Sequence, residues 1–306
     1  EFRRVLFRSS TCNGAEWVNH SWGAQVILYG VYRLVGESGL SLLTATFATL
    51  GMMFVYRACV GTVYARAFLL VLGASAAAVF WSPRPQMFSF MLSAVYLYIL
   101  YGYKRQQFNG LVWLPVLMVA WVNLHGGYAI GFILVGAFIV AEGLAWLFNR
   151  GGEAVLGWKG MRSLMVVGCW MVLATLLNPY TYRILLIPFQ TVGIQTLHQH
   201  IQEWQSPNFK RPEVLPFVAL LLGSVVLLGS TTRRMRWVDG LLFCGTGYLA
   251  LSAGRNIALF AVAVLPMLSE HVQAILEHGG VRLLPKTRTS TVGGVVNLVL
   301  LAGVLL

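Results

Sequence analysis

Six short polar stretches interrupt an otherwise apolar chain: WVNH (17–20), SPRPQ (82–86), NLHGG (123–127), NPY (178–180), EWQSPNF (203–209) and GRN (254–256). They supply two arginines (Arg84, Arg255), two histidines (His20, His125), one carboxylate beside an indole (Glu203, Trp204) and the amides Gln86, Asn123, Asn178 and Asn256. Arginine offers a planar fork of donors suited to phosphate oxygens. Arg84 sits between Pro83 and Pro85, which hold the backbone extended and disfavour helix. That geometry suits a rigid loop presenting a guanidinium to a phosphate, and equally a side chain that snorkels to lipid head groups. His125 precedes Gly126 and Gly127, so its loop can turn tightly or approach a ligand closely. The same imidazole could simply satisfy nearby backbone groups.

Asn178-Pro179 reads first as a helix stop and second as a ligand contact. Arg255-Asn256 at a helix start can cap it or build an anion site with the free N–H groups. Glu203-Trp204 pairs a carboxylate with a ring able to stack on a sugar or to sit at a membrane interface. Glycine-rich phosphate loops, nucleophile motifs and metal-spaced His/Cys sets are absent from the sequence. The cysteines at 12, 59, 169 and 244 are scattered, without metal-ligand spacing or a disulfide framework. No cofactor is indicated, and a divalent metal has no ligand pattern behind it. A glycosidase-type carboxylate pair is not visible.

Composition decides what must hold these motifs in place. Of the 306 residues 58% are hydrophobic and only 10% charged, with a mean hydropathy of +0.71. A soluble domain carries about 25% charged residues, so lipid has to be most of this chain's solvent. The formal net charge of +12 fits Lys and Arg placed in cytoplasmic loops. No loop is long enough to make a basic nucleic-acid-binding domain.

Ten spans are expected near 38–57, 66–82, 86–103, 110–124, 127–148, 161–178, 214–230, 236–253, 256–273 and from 292, forming an all-α polytopic bundle. One set of alternate loops, with basic clusters around 57–66, 104–105, 150–162, 233–236 and 282–288, holds thirteen basic residues against six in the other set. The richer set is therefore expected in the cytoplasm, which puts all six polar motifs on the extracytoplasmic face. Ionisable groups at membrane depth usually mark a site or a path, so a shared cavity for Arg84, His125 and Arg255 is expected near the outer leaflet. The cytoplasmic loops offer basic residues and little other chemistry.

Two apolar stretches are too short to span. His20 to Val35, with Trp22, Tyr29, Tyr32 and Arg33, is expected to be a juxtamembrane amphipathic helix on the outer face. Tyr180 to Gly193 carries Arg183 and Pro188 and is expected to be interfacial or re-entrant. No solenoid-type repeat is present. Residues 1–9, EFRRVLFRS, resemble a translated sequencing adapter and are set aside. The run from Val295 to Leu306 stops without a polar exit, so residues 10–306 are expected to form a single transmembrane domain truncated at both ends.

WVNH before an amphipathic helix, RPQMFSF opening a span, WVNLHGGY, LLNPY and EWQSPNF together resemble a bacterial group related to the GT-C glycosyltransferases, from about Ser10 onward. The resemblance implies a multi-span enzyme of the bacterial cytoplasmic membrane. Such an enzyme moves a sugar from a polyprenyl-phosphate donor to an extracytoplasmic acceptor. It further implies that His20 to Val35 is the family's juxtamembrane element. The principal acidic residue would lie in a first outer loop, upstream of this sequence. Glu203 and His20 then become the catalytic candidates within the chain. Arg84, Gln86, Asn123, His125, Asn178, Trp204, Arg255 and Asn256 become the substrate-binding ones. Two alternatives stay open: an O-antigen ligase- or polymerase-like enzyme using a polyprenyl-diphosphate donor, which needs no essential carboxylate, and a transporter. A transporter usually shows internal repeats and helices broken at the bilayer midplane.

Overall fold

The structure is a computed structural model that describes residues 19–148, 156–194 and 199–279. All regular structure among the described residues is helical. In lipid, backbone polar groups must be satisfied within the segment, which leaves helices as the solution for apolar runs of this kind. The longer helices are α1 (Trp22–Ala58), α2 (Val63–Ala77), α3 (Gln86–Lys104), α4 (Trp113–Leu124), α5 (Ala129–Leu147) and α6 (Gly157–Thr175). After the short α7 (Ile187–Val192) come α8 (Leu215–Ser230), α9 (Trp237–Ser252) and α10 (Ile257–His278).

Five helical segments are long and apolar enough to cross a membrane: Trp22–Ala58, Val63–Phe80, Gly126–Leu147, Pro212–Ser230 and Gly254–His278. The expected spans near 86–103, 110–124, 161–178 and 236–253 are helices as well, but fall outside that set. At 1.5 Å per residue the 12 residues of α4 cover roughly 18 Å, well short of a hydrocarbon core of about 30 Å. The expectation of ten spans is thus met by five on length and apolarity, and the segment from 292 lies outside the described residues.

Residues 22–35, expected to be a separate juxtamembrane helix, form a helical segment joined across a kink to the rest of α1. The helix is interrupted at Gly36, whose φ of 71° and ψ of −154° suit glycine and penalise any residue with a Cβ. Ahead of this break Trp22, Val26, Tyr29 and Tyr32 are exposed. The stretch from Tyr180 folds as a 3-10 segment, Thr181–Leu186, followed by α7. It is fastened where the Tyr128 hydroxyl donates to the Ile184 carbonyl at 2.5 Å.

The middle of the bundle is α10, packed by α2, α3, α8 and α9. A Cβ on Gly73 would come within 2.4 Å of the Leu265 Cδ1, so α2 packs closely on α10 and a larger residue there would have to displace the Leu265 side chain. Phe260 meets Phe217 edge-on at 5.6 Å and Phe243 at 5.8 Å.

The connections gather at two ends. At one, Glu270 of α10 accepts from Arg105 at 2.6 Å, Arg233 at 2.5 Å and Arg236 at 2.7 Å. Arg236 also meets Asp239 at 2.8 Å, and the Tyr101 hydroxyl donates to Asp239 at 2.8 Å. Nearby, Lys104 pairs with Glu142, whose second oxygen accepts from the Leu156 amide at 2.8 Å. The other end carries the described residues of the polar motifs.

Candidate functional site

Residues 80–86 link α2 to α3 in a tight path. The Gln86 side chain turns back to donate to the Phe80 carbonyl at 2.9 Å and the Ser82 hydroxyl at 3.4 Å. This leaves Arg84, between its two prolines, exposed and directed to Glu203, with Nη1 3.0 Å from Oε2. Glu203 and Trp204 belong to a 3-10 turn, Gln202–Trp204. Beside that turn, the Gly254 amide donates to the Gln205 carbonyl at 2.9 Å, tying it to the corner between α9 and α10. The Arg255 guanidinium lies over the Trp204 ring, 4.1 Å from its centre, an arrangement that leaves the edge N–H groups available for an anion. Asn256 secures the same corner by donating to the Leu249 carbonyl at 3.0 Å.

His125 closes α4. Its Nδ1 accepts from the Gly127 amide at 3.0 Å and lies 2.7 Å from the Ser89 hydroxyl oxygen. The Trp121 indole N–H donates to that same hydroxyl at 2.7 Å. Two donors converge on Nδ1, so the network assigns the neutral ring's proton to Nε2. A Cβ on Gly127 would fall 2.5 Å from Ser89 Oγ and 2.7 Å from Nδ1, so only glycine fits there. The His20 ring packs against Gly126, where an added Cβ would stand 3.0 Å from its Cδ2. Burial pushes the His125 imidazole down to about 3, and the charges of Arg255 and His20 act in the same direction. The ring is neutral at physiological pH and can donate from Nε2.

His125 and Arg255 line one cavity of about 70 Å³, together with Gln86, Ser89 and Asn256. Arg84 and Glu203 line a larger neighbour of about 990 Å³. Phe80 borders both. The single cavity expected for Arg84, His125 and Arg255 is therefore divided in two. Its parts are bridged by the contacts that run from Arg84 through Glu203 and Trp204 to Arg255.

Two of the substrate-binding candidates hold the framework together. The Asn123 carbonyl oxygen accepts from the Trp22 indole at 2.9 Å and from the Asn178 amide at 3.2 Å. Buried Asn178 also donates to the Val122 carbonyl at 3.0 Å and accepts from the Tyr180 amide at 3.0 Å. The structure thus gives both amides, like Gln86 and Asn256, partners within the fold.

Sequence reasoning missed Ser89 and Trp121, the partners that orient His125. The signal was present: Trp121 and His125 stand one helical turn apart on α4, and Ser89 is one turn into α3. It also undervalued the opposite end. There, Glu142, Asp239 and Glu270, carried on helices, neutralise Lys104 at the end of α3 and the arginines of the adjoining connections. Among the described residues no group of three or more His, Cys, Asp or Glu is placed to hold a metal. Comparisons with protein-family models, with curated proteins and with solved structures give no match, so the reading of this site rests on its own geometry.

Proposed function

We propose that the chain is a membrane glycosyltransferase that moves a sugar from a polyprenyl-phosphate donor to an acceptor on the extracytoplasmic side of the bacterial cytoplasmic membrane. The observation that carries this reading is the run Arg84–Glu203–Trp204–Arg255, which ends beside a neutral imidazole. Glycosyl transfer from a lipid phosphate needs a base for the acceptor hydroxyl, cations for the departing phosphate and a surface for the sugar. In this scheme Glu203 takes the proton of the acceptor hydroxyl, whose oxygen attacks the anomeric carbon. The bond from that carbon to the phosphate oxygen breaks, and its electron pair leaves with the polyprenyl phosphate. Arg255 and the His125 Nε2–H stabilise that oxygen, while Arg84 orients the Glu203 carboxylate. A carboxylate at this position favours the scheme over a ligase-type reaction that needs none. The same reading takes the shorter helices as further crossings, for about ten spans in a GT-C-like bundle with the site at its outer end.

The test follows labelled sugar leaving a polyprenyl-phosphate donor in vesicles reconstituted with the protein. Arg84→Lys keeps the charge and loses the planar fork. It should express normally and turn over about 100-fold more slowly, the scale on which a misplaced catalytic group costs rate. Glu203→Gln and His125→Ala should also be impaired, and Arg234→Ala, at the opposite end, should match wild type. Near-normal turnover in both Arg84→Lys and Arg84→Ala would overturn the role of Arg84 in orienting Glu203, and near-normal turnover in Glu203→Gln would overturn the scheme.

A further inference from the structure

At the end of the bundle away from the candidate site, a cavity of about 380 Å³ is lined by Arg105, Arg233 and Arg236 together with Gln107, Gln273 and Glu270. Arg105 directly follows α3, while Arg233 and Arg236 belong to the connection between α8 and α9. Like charges repel, yet Glu270 on α10 gathers all three. Its Oε1 accepts from Arg105 and Arg236, and its Oε2 from Arg233. Both carboxylate oxygens are thus occupied, and the cations they hold face one opening.

The guanidiniums keep donors in reserve. Each carries five N–H groups. Arg233 uses only its Nη2 on Glu270, and its Nε and Nη1 meet no acceptor among the described residues. The Nη1 of Arg236 meets none either. Gln107 is exposed on the same opening, and its side-chain amide has no partner among the described residues. Glu277, the other carboxylate of the lining, is exposed and accepts from the Gln273 amide at 2.6 Å. Two more exposed arginines adjoin the cluster: Arg57 precedes the Ala58 carbonyl that accepts from Arg105, and Arg234 follows Arg233. Arginines therefore outnumber Asp239, Glu270 and Glu277 here, and the opening lies in a positive field. The long apolar segments carrying α8 and α10 end nearby, at Ser230 and His278. That is the depth at which lipid head groups meet water.

We propose that this opening binds a phosphate group, supplied by an anionic phospholipid head group or by the free anion. A guanidinium fork matches phosphate oxygens in geometry as well as charge, and basic pockets between helices at head-group depth suit such anions. Arg233 makes the paired contact, with Arg236 and Gln107 flanking it. Glu270 is the positioning residue that aims the arginines. The site is separate from the glycosyl-transfer reading and stands without it.

The test titrates the protein, purified in an uncharged detergent, by microscale thermophoresis. The probes are dihexanoyl phosphatidylglycerol, dihexanoyl phosphatidylcholine and inorganic phosphate. Phosphatidylglycerol should bind about tenfold or more tighter than phosphatidylcholine, whose head group brings its own cation against the arginines. Arg233→Gln removes the fork, and Gln107→Glu sets a carboxylate on the opening. Each should weaken phosphatidylglycerol about tenfold. Both positions are exposed and the two changes act independently, so loss of fold in one leaves the other to decide. Lys159→Gln removes an exposed charge that does not line the cavity, and should stay within about twofold of wild type. Inorganic phosphate binding as tightly as phosphatidylglycerol, with the same losses in the variants, would keep the site and name the free anion as its occupant. Three outcomes overturn the proposal. Neither phosphatidylglycerol nor inorganic phosphate binds; the two lipids bind alike while inorganic phosphate does not bind; or Lys159→Gln loses as much as Arg233→Gln and Gln107→Glu.

Discussion

Glu270 accepts from three arginines drawn from two different connections, and Glu270→Gln tests what that convergence contributes. The carboxylate is 7% exposed, its partners Arg105 and Arg236 are 12% and 14% exposed, and Arg233 is 44% exposed. Arg233 is solvated enough that its pair contributes little, so the cost rests on the two buried guanidiniums. Breaking a buried pair by neutralising one side costs about 3–5 kcal/mol. Arg236 keeps Asp239 at 2.8 Å, and Arg105 keeps the Ala58 carbonyl at 2.5 Å and the Tyr101 ring at 4.8 Å. These remaining partners put the expectation at the lower end, about 3 kcal/mol. At roughly 2–4 °C per kcal/mol for a larger domain, the apparent melting temperature should fall by about 6–12 °C. Tryptophan fluorescence on heating in detergent would follow it. Glu277→Gln is the control, since Glu277 is an exposed acceptor for Gln273. A shift under about 2 °C for Glu270→Gln, or an equal shift for Glu277→Gln, would refute the idea that this end is clamped by buried charge.

Two further outcomes are expected. The neutral state of His125 should persist across the physiological range: ¹⁵N NMR should show one neutral, Nε2-protonated ring with no titration between about pH 5.5 and 8. Because its folded pKa lies below the unfolded one, its contribution to stability is complete above about pH 6.5 and declines as pH falls toward 3. An inflection near neutral pH, or protonation at Nδ1, would contradict the network built on Ser89 and Gly127. Single cysteines at positions 84, 203 and 255, in a cysteine-free background, should react with an impermeant thiol reagent in intact cells, while cysteines at 104 and 234 should not. The reverse pattern would invert the proposed orientation.

Composition and the spacing of apolar runs were enough to read an all-helical, membrane-embedded chain, because lipid leaves no other way to satisfy so apolar a backbone. The polar motifs stood out for the same reason: ionisable residues are rare in such a chain. The distribution of Lys and Arg separated the loops into two groups; the fold gathers Arg105, Arg233 and Arg236 of one group around Glu270, and Arg84 and Arg255 of the other around Glu203 and Trp204. Pairings between distant parts of the chain were not legible. Nothing in local sequence shows that Arg84 meets Glu203, 119 positions later, or that Ser89 and Trp121 orient His125. Nor does it show that Asn123 and Asn178 hold one another in place. Periodicity helps little when helices are apolar all round, so which face of α10 meets which neighbour was hidden as well. Those choices depend on close packing such as Gly73 against Leu265, a property of two surfaces brought together and of neither segment alone. The division of the site into two cavities was decided only by the tertiary fold.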